Sequence, residues 1–527
     1  MTSGQAISQI VFQRDGGMLV SPGGNRADVA AAVRLCGQLE TITAGSYLFK
    51  LNPVAIWGSA ARGLTVDTIL DRLDCHAATP VPAQVAALIS RHHARYGVIW
   101  IERSDGEPAR LRSSDPSVLA RSGLGDCPEL RDRDIPQIKQ QLASEGWPVV
   151  DRYERQDDDE LAISWRPGVE LRPYQIEAVS AHLQAGNGLV LLPCGAGKTM
   201  VGVGVAVDVR TRTLILAPSR EIADQWERTL VETTTVNPED VSVAVGDRKP
   251  TPITITTYHS ASTGRVGSSL AASSWGLVIY DEVQSLPANV FRAVSAFSAV
   301  RRLGLSATLV REDGREAEIF AMVGPVVYDV PWVELERDGW IAPAQCHEVR
   351  IPEAPGTRQR QLFKHAVIER ILSLHEGKPA LIVGSRIQWL ESVARRFDVP
   401  VLTGKDDPAT REETFEAFRT GRISRLAVSR IGSVGLDLPT AELMIQVDGN
   451  FGSRQEEAQR LGRLLRPGDG QPVHFYSLVS LGTREPKYAR RRQRFLVNQG
   501  YEYEILDAAD LPRVARAGVQ SRDDFGE

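Results

Sequence analysis

The sequence predicts an α/β protein of two tandem domains, each a parallel sheet covered by helices, preceded by a smaller α+β region. Three observations carry this. Short apolar runs alternate with helical stretches from about residue 166 to 480. The runs form two series, parted near Pro331–Pro343. The first 165 residues lack the alternation. Continuous apolar strands spaced by helices mark parallel sheets buried on both faces, because the crossover helices cover them.

The first series is Leu189–Leu192, Thr213–Ala217, Ile253–Thr257, Leu277–Tyr280 and Arg302–Leu305. The second is Ala380–Val383, Pro400–Leu402, Leu426–Ser429, Leu443–Val447 and Val473–Val479. Leu362, Phe363, Ala366, Val367, Ile371 and Leu374 keep helical spacing. Nearer the N-terminus, Val66, Ile69, Leu70 and Leu73 form one apolar helical stripe. A second helix is expected over Pro82–Tyr96, stopped by Gly97, and then a strand at Val98–Ile101. Residues 104–165 read as polar, irregular chain, with the acidic run at 154–160 as a solvated linker. The expected domains are thus 1–105, a linker or small accessory domain at 106–165, 166–332 and 333–507, with a frayed tail at 508–527.

Composition narrows the class. The 527 residues hold 61 Lys+Arg against 66 Asp+Glu, a net charge of −5, which excludes a basic nucleic-acid coat but not a local basic groove. With 45 Gly and 30 Pro, collagen-like and low-complexity readings fall away. The 5 cysteines include no CxxC pair, which argues against a zinc ribbon, an iron–sulfur cluster or a disulfide framework. No run of about 18 apolar residues and no signal-like N-terminus occur. A soluble, reduced, cytoplasmic protein without a membrane partner is expected.

The run LVLLPCGAGKT at 189–199 has the phosphate-loop form: apolar strand, glycine turn, helix. The turn from Pro193 through Gly195, Ala196 and Gly197 would curl around phosphates, the N–H groups after the proline aimed at them from a helix N-terminus. Lys198 is expected on the β- and γ-phosphates of ATP, and the Thr199 hydroxyl on Mg²⁺. LVIYDEVQ at 277–284 ends an apolar strand with two carboxylates. Asp281 would hold Mg²⁺ through water and Glu282 would polarise the attacking water, the division of labour that phosphoryl transfer needs. The second domain has no such loop. It offers Gln459, Arg460, Gly462, Arg463 and Arg466 in QRLGRLLRP. Alone, Arg463 and Arg466 would be ordinary surface charge on one helix face. Beside a remote phosphate loop they read as arginine fingers.

These residues, in this order, resemble the superfamily 2 helicases. LRPYQ (171–175) is similar to the adenine-recognition motif, which implies base contacts by Arg172 and Gln175. LAPSREIADQW (216–226) and TTYH (256–259) resemble motifs Ia and Ib. SAT (306–308) resembles motif III, which implies that Ser306 and Thr308 link nucleotide to nucleic acid. IGSVGLDLP (431–439) resembles motif V, with Asp437 facing the nucleotide, and the arginine stretch resembles motif VI, with Gln459 in the nucleotide site. Within the superfamily, WGLVIYDEVQSLPA, RRLGLSATLVREDGRE and FGSRQEEAQRLGRLLRP are similar to the XPB helicases, particularly the bacterial ones. Arg311, Glu312 and Asp313 stand where XPB carries its RED motif. XPD-type relatives need four clustered cysteines and are excluded.

The resemblance implies two RecA-like motor domains, an XPB-like N-terminal domain, a damage-recognition-like accessory domain, and an ATP- and Mg²⁺-dependent 3′→5′ DNA helicase or duplex translocase serving nucleotide excision repair. It implies DNA contacts by Pro218, Ser219, Arg220, Thr257, Ser385 and Arg386, and by the RED residues Arg311, Glu312 and Asp313. A monomer is expected, with DNA as partner. Two departures stand out. The family's motif II usually reads Asp-Glu-x-His, whereas this chain has Gln284, a residue able to bridge motifs II and III by hydrogen bonds. The thumb expected between Ile351 and Val367 is short. The alternatives are a motor of an antiphage or nuclease-coupled system, and a DNA-binding ATPase switch that recruits partners. The basic stretch Arg484–Arg494 reads as a solvated helix. The pairs Cys75-His76 and His92-His93 read as packing or surface residues, and Cys194 carries no chemistry.

Overall fold

In a computed structural model of the chain, the described residues are 9–512 apart from 14, 22–25, 44–45, 104–106, 126–127, 132–133, 154–160, 194, 245–249, 287, 296, 309–315, 430–440, 449–471, 500 and 502. Two compact units meet in sequence between Pro331 and Trp332.

The first unit opens with β1 (Ile10–Phe12), β2 (Gly17–Val20), α1 (Arg26–Arg34), β3 (Gly37–Thr43), β4 (Ser46–Leu51), α2 (Pro53–Ala61), α3 (Val66–Asp74) and α4 (Ala83–His93). Its antiparallel sheet has the order β1-β2-β4-β3. Asn52 caps α2 by accepting the Val54 N–H at 2.8 Å, with Pro53 at the first helical position, where its missing N–H costs nothing. Thr65 caps α3 in the same way through Thr68 at 3.1 Å.

A second small module follows: β5 (Ile99–Arg103), β6 (Ala109–Ser113), α5 (Pro116–Arg121), β7 (Glu129–Leu130), α6 (Ile135–Ser144) and β8 (Val149–Tyr153). The four strands make one sheet, β7-β6-β5-β8. This corrects the irregular reading of 104–165. It also places the expected 105/106 boundary between two paired strands, since Ile101 lies opposite Leu111. The strands escaped notice because β6 reads ARLRS, with only Ala109 and Leu111 buried and arginines on the open face. The acidic run at 154–160 lies outside the described residues.

The phosphate-loop sheet comes next: α7 (Pro173–Ala185), β9 (Asn187–Leu191), α8 (Lys198–Val209), β10 (Thr213–Ala217), α9 (Arg220–Thr233), β11 (Val241–Val243), β12 (Ile253–Thr257), α10 (Tyr258–Ser262), α11 (Gly264–Ala271), β13 (Trp275–Asp281), α12 (Ala288–Ser295), β14 (Ala299–Ser306), α13 (Glu316–Val323) and β15 (Val326–Asp329). All seven strands are parallel in the order β11-β12-β10-β13-β14-β9-β15. Every residue of β9 and β10 is buried, as strands sandwiched between helix layers require.

Both N-terminal modules meet this sheet's domain at α13. The Trp57 and Phe320 rings lie 5.3 Å apart, and Gly58 faces Val326 closely enough for a Cβ there to come within 3.6 Å. Gln140 Nε2 donates to Glu318 Oε1 at 2.8 Å, and Gln38 Nε2 to Glu316 Oε1 at 3.5 Å. Arg34 pairs with Asp329, and Arg103 Nη1 donates to Ser298 Oγ at 3.3 Å. The module core includes a buried ion pair, Lys139 to Asp151 at 2.7 Å.

The second unit holds α14 (Trp332–Arg337), β16 (Ala344–Ile351), α15 (Thr357–Leu374), β17 (Ala380–Val383), α16 (Ile387–Phe397), β18 (Val401–Leu402), α17 (Pro408–Arg419), β19 (Arg425–Val428), β20 (Leu443–Gln446), β21 (Val473–Ser480), α18 (Glu485–Asn498) and β22 (Tyr503–Asp507). Its sheet is again parallel, β18-β19-β17-β20-β21-β16-β22. β16, AQCHEVRI, was not expected, since its polar letters mask a strand paired on both sides. β16 passes to α15 through residues 352–356 alone, so the thumb position holds only a short link. The solvated reading of Arg484–Arg494 needs correction: α18 is amphipathic, with Arg490 and Arg491 exposed but Ala489, Arg492 and Leu496 buried.

Candidate functional site

β13, β14 and β9 are neighbours, so their C-terminal ends bring three loops side by side. In register, Asp281 lies opposite Leu305, and Ser306 opposite Leu191. Ligands of open parallel sheets sit at such strand ends.

The loop after β9 turns through Gly195 and Gly197 at φ +85° and +76°, a left-handed geometry that side chains resist. At Gly197 space forbids one too, because a Cβ would stand 2.4 Å from Gln175 Nε2. α8 then starts at Lys198, and its first N–H groups lack helical partners, which suits an anion. Buried Pro193 and Ala196 line the turn, and Thr199 stands in the first turn of the helix. Lys198 Nζ lies 3.3 Å from Glu282 Oε1.

Gln175 and Arg172 sit at the start of α7. The Gln175 amide oxygen accepts the Arg172 N–H at 2.9 Å, and its nitrogen reaches Gly197 O at 3.5 Å. Gln175 therefore ties the loop expected at the base to the loop expected at the phosphates.

Asp281 ends β13 and is buried. The Trp226 indole N–H donates to its Oδ2 at 2.9 Å, and the Tyr258 hydroxyl to its carbonyl at 2.7 Å. Burial first, then the neighbouring Glu282 charge, pushes the Asp281 carboxyl up to about 6, against the Trp226 bond and Lys198. Two adjacent carboxylates in so dry a place, with a hydroxyl residue at position 199 on the adjoining loop, fit a divalent cation. Glu282 adopts φ +49°, a left-handed conformation uncommon for a side chain of its size. Gln284 fixes its carboxylate. Gln284 Nε2 donates to Glu282 Oε2 at 2.6 Å, while Gln284 Oε1 accepts the Ser306 hydroxyl at 2.5 Å. The Thr308 N–H then donates to Ser306 Oγ at 2.9 Å. A hydrogen-bonded chain thus runs from Lys198 through Glu282 and Gln284 to Ser306 and Thr308.

The expected backbone contacts in the first unit stand at two further strand ends. Pro218 follows β10. Ser219 caps α9 by accepting the Ile222 N–H at 3.4 Å, and Arg220 is exposed beside Asp224. Thr257 ends β12 and caps α10 through Ser260 at 3.2 Å. Ser385 and Arg386 follow β17 in the second unit. Arg311, Glu312, Asp313, Asp437, Gln459, Arg463 and Arg466 lie outside the described residues. Sequence reasoning missed Trp226 and Tyr258, although both fall inside quoted motifs. An indole and a phenol carry no chemistry of their own in a sequence, and their bonds to Asp281 span 55 and 23 residues.

Comparison with known proteins bears on the whole chain. The family model "ERCC3/RAD25/XPB C-terminal helicase" matches residues 335–519, "Type III restriction enzyme, res subunit" matches 168–311, and "Helicase conserved C-terminal domain" matches 10–122. A protein of Kineococcus radiotolerans named "DNA 3'-5' helicase XPB" is 38% identical over 95% of this chain and 97% of its own length. A "General transcription and DNA repair factor IIH helicase/translocase subunit XPB" of Antonospora locustae is 30% identical over 88% of this chain and 76% of its own. Among solved structures, an ATP-dependent Type ISP restriction-modification enzyme, LlaBIII, bound to DNA, shares the fold at a TM-score of 0.51, with 11% identity over 70% of this chain and 34% of that one. With a phosphate loop, paired acids and motif III on neighbouring strand ends, and with relatives matched almost end to end, the chain belongs to the XPB family of helicases.

Proposed function

We propose that this chain is an ATP-driven DNA helicase or duplex translocase, moving 3′→5′ and serving DNA repair, as the names of its relatives state of them. The observation that supports this most is the hydrogen-bonded chain from Lys198 to Thr308, which lets the state of the phosphates reach motif III. The α8 N-terminus and Lys198 bind and neutralise the β- and γ-phosphates. Glu282, aimed by Gln284, orients the attacking water and takes its proton. Thr199 and Asp281 would hold Mg²⁺, which supplies charge neutralisation on the phosphates when bound. Arg172 and Gln175 are assigned to the base, and by the family resemblance Asp437, Gln459, Arg463 and Arg466 are assigned to the nucleotide, the arginines to transition-state charge. Pro218, Ser219, Arg220, Thr257, Ser385 and Arg386 touch the DNA backbone, without reading sequence.

The test measures ATP turnover with and without DNA, together with displacement of 3′- and 5′-tailed duplexes. DNA-stimulated turnover and displacement from the 3′ tail are expected. Turnover indifferent to DNA would favour a binding switch instead. Lys198→Ala should abolish hydrolysis; normal turnover in that variant would overturn the nucleotide site.

A further inference from the structure

β17 and β20 are neighbours, with Val383 opposite Gln446, so the chain beyond each strand emerges at the same edge. Beyond β17 come Gly384, Ser385 and Arg386; beyond β20 come Val447 and Asp448. Asp448 is 5% exposed. Its Oδ1 accepts both the backbone N–H and the hydroxyl of Ser385, the latter at 2.9 Å. Its Oδ2 is buried, accepts no hydrogen bond among the described residues and faces Arg386 Nε at 4.0 Å. Gly384 makes room for this approach, since a Cβ there would lie 3.2 Å from Asp448 Oδ1. The preceding residue is anchored as well. Fully buried Lys364 donates to Val447 O at 2.6 Å and pairs with Glu485 at 3.0 Å.

A buried carboxylate is costly unless its charge and lone pairs are used. Here one oxygen fixes both donors of Ser385, and the other supplies negative charge beneath an exposed guanidinium. Arg386 is 64% exposed and is the N-cap residue of α16, so its charge and the positive helix end share one place. We propose that Asp448 is the positioning residue for DNA in the second motor domain: it locks the Ser385–Arg386 turn in the shape that presents both to a backbone phosphate. This rests on the DNA-motor reading above. Asp448 also lies one residue before the stretch 449–471 that carries Gln459, Arg463 and Arg466, so the residue that shapes the DNA contact adjoins in sequence the residues assigned to the nucleotide.

The experiment reads the DNA concentration that half-saturates ATPase stimulation and, separately, the maximal rate. Asp448→Ala is expected to raise the half-saturating concentration about tenfold and to change the maximal rate less than threefold. Asp448→Asn, which keeps an acceptor for Ser385, should stay within about threefold of the parent. Arg386→Ala should also weaken binding, and the double variant should be no worse than Asp448→Ala alone, because the two act through one contact. Gly384→Ala, which crowds the carboxylate and Leu390 without removing either, should weaken half-saturation at least threefold and serves if the alanine at 448 does not fold. An unchanged half-saturation in Asp448→Ala or Gly384→Ala, equal loss with asparagine and alanine, or full additivity with Arg386→Ala would each overturn the proposal. Absence of any DNA stimulation in the parent would instead overturn the motor reading.

Discussion

Gln284 replaces the family's usual histidine with a side chain that does two jobs at once, gripping Glu282 and receiving Ser306. A hydrogen bond to a charged group is worth about 1.5–3 kcal/mol. Gln284→Ala should therefore lower ATP turnover by about 10- to 100-fold and remove most of the DNA stimulation, read by comparing rates with and without DNA. Gln284→His can keep both bonds while neutral but loses the acceptor when protonated. Its turnover should show an acid-side step near the unperturbed pKa of about 6.5, in addition to any step the parent owes to Asp281. Trp226→Phe keeps the ring but leaves a buried Asp281 oxygen unsatisfied, so unfolding in urea should show a loss of about 1–3 kcal/mol. The positions of Lys198, Asp281 and Glu282 just beyond β9 and at the end of β13 were legible in the sequence, because apolar strands followed by short turns mark them locally. Trp226 was not, because its role depends on which strand its helix happens to cover.

Among the elements, β16, β21 and the end of α15 collect three histidines that the sequence scatters. His347 Nδ1 hydrogen-bonds Glu504 at 2.9 Å, and its ring stacks 4.4 Å from Tyr476. His375 Nε2 hydrogen-bonds the Tyr476 hydroxyl at 2.9 Å, and its ring lies 4.1 Å from that of His474. Burial, helped by Lys378 and by the neighbouring rings, pushes His375 and His474 down to about 4, while burial lowers His347 against the pull of Glu504. All three are thus neutral in the folded unit at pH 7. Between pH 6.5 and 4 the unfolded chain binds more protons than the folded one, so stability falls as the pH drops through that window. Thermal melts at pH 7 and 5 should show the decrease, and His375→Gln with His474→Gln should shrink it. A melting temperature that does not change with pH would contradict the cluster's neutrality. The histidine pairs visible in the sequence, at 76 and 92–93, are not this cluster. Parallel register builds it, setting His474 beside Gln345 and Tyr476 beside His347.

At the scale of the whole molecule, the two parallel sheets were legible because central strands such as β9, β10, β17 and β20 are continuous apolar runs, whereas β16 and most of the module at 99–153 were not, because polar residues interrupt their strands. That module and the one before it both land on α13, which carries Glu316, Glu318 and Phe320 toward them, while Val326 and Asp329 of β15 and Ser298 add further contacts. The consequence concerns inheritance. Residues 9–153 should not exchange as a cassette, because their complement lies far along the chain, between Ser298 and Asp329 of the motor domain. A chimera that takes those modules from a relative should fold poorly and expose apolar surface to a hydrophobic dye. Exchange of α13 and β15 together in the same chimera should restore the melting temperature and suppress the dye signal. Substitutions in this family's N-terminal modules should then be tolerated in pairs, one change in the module answered by one on α13 or β15.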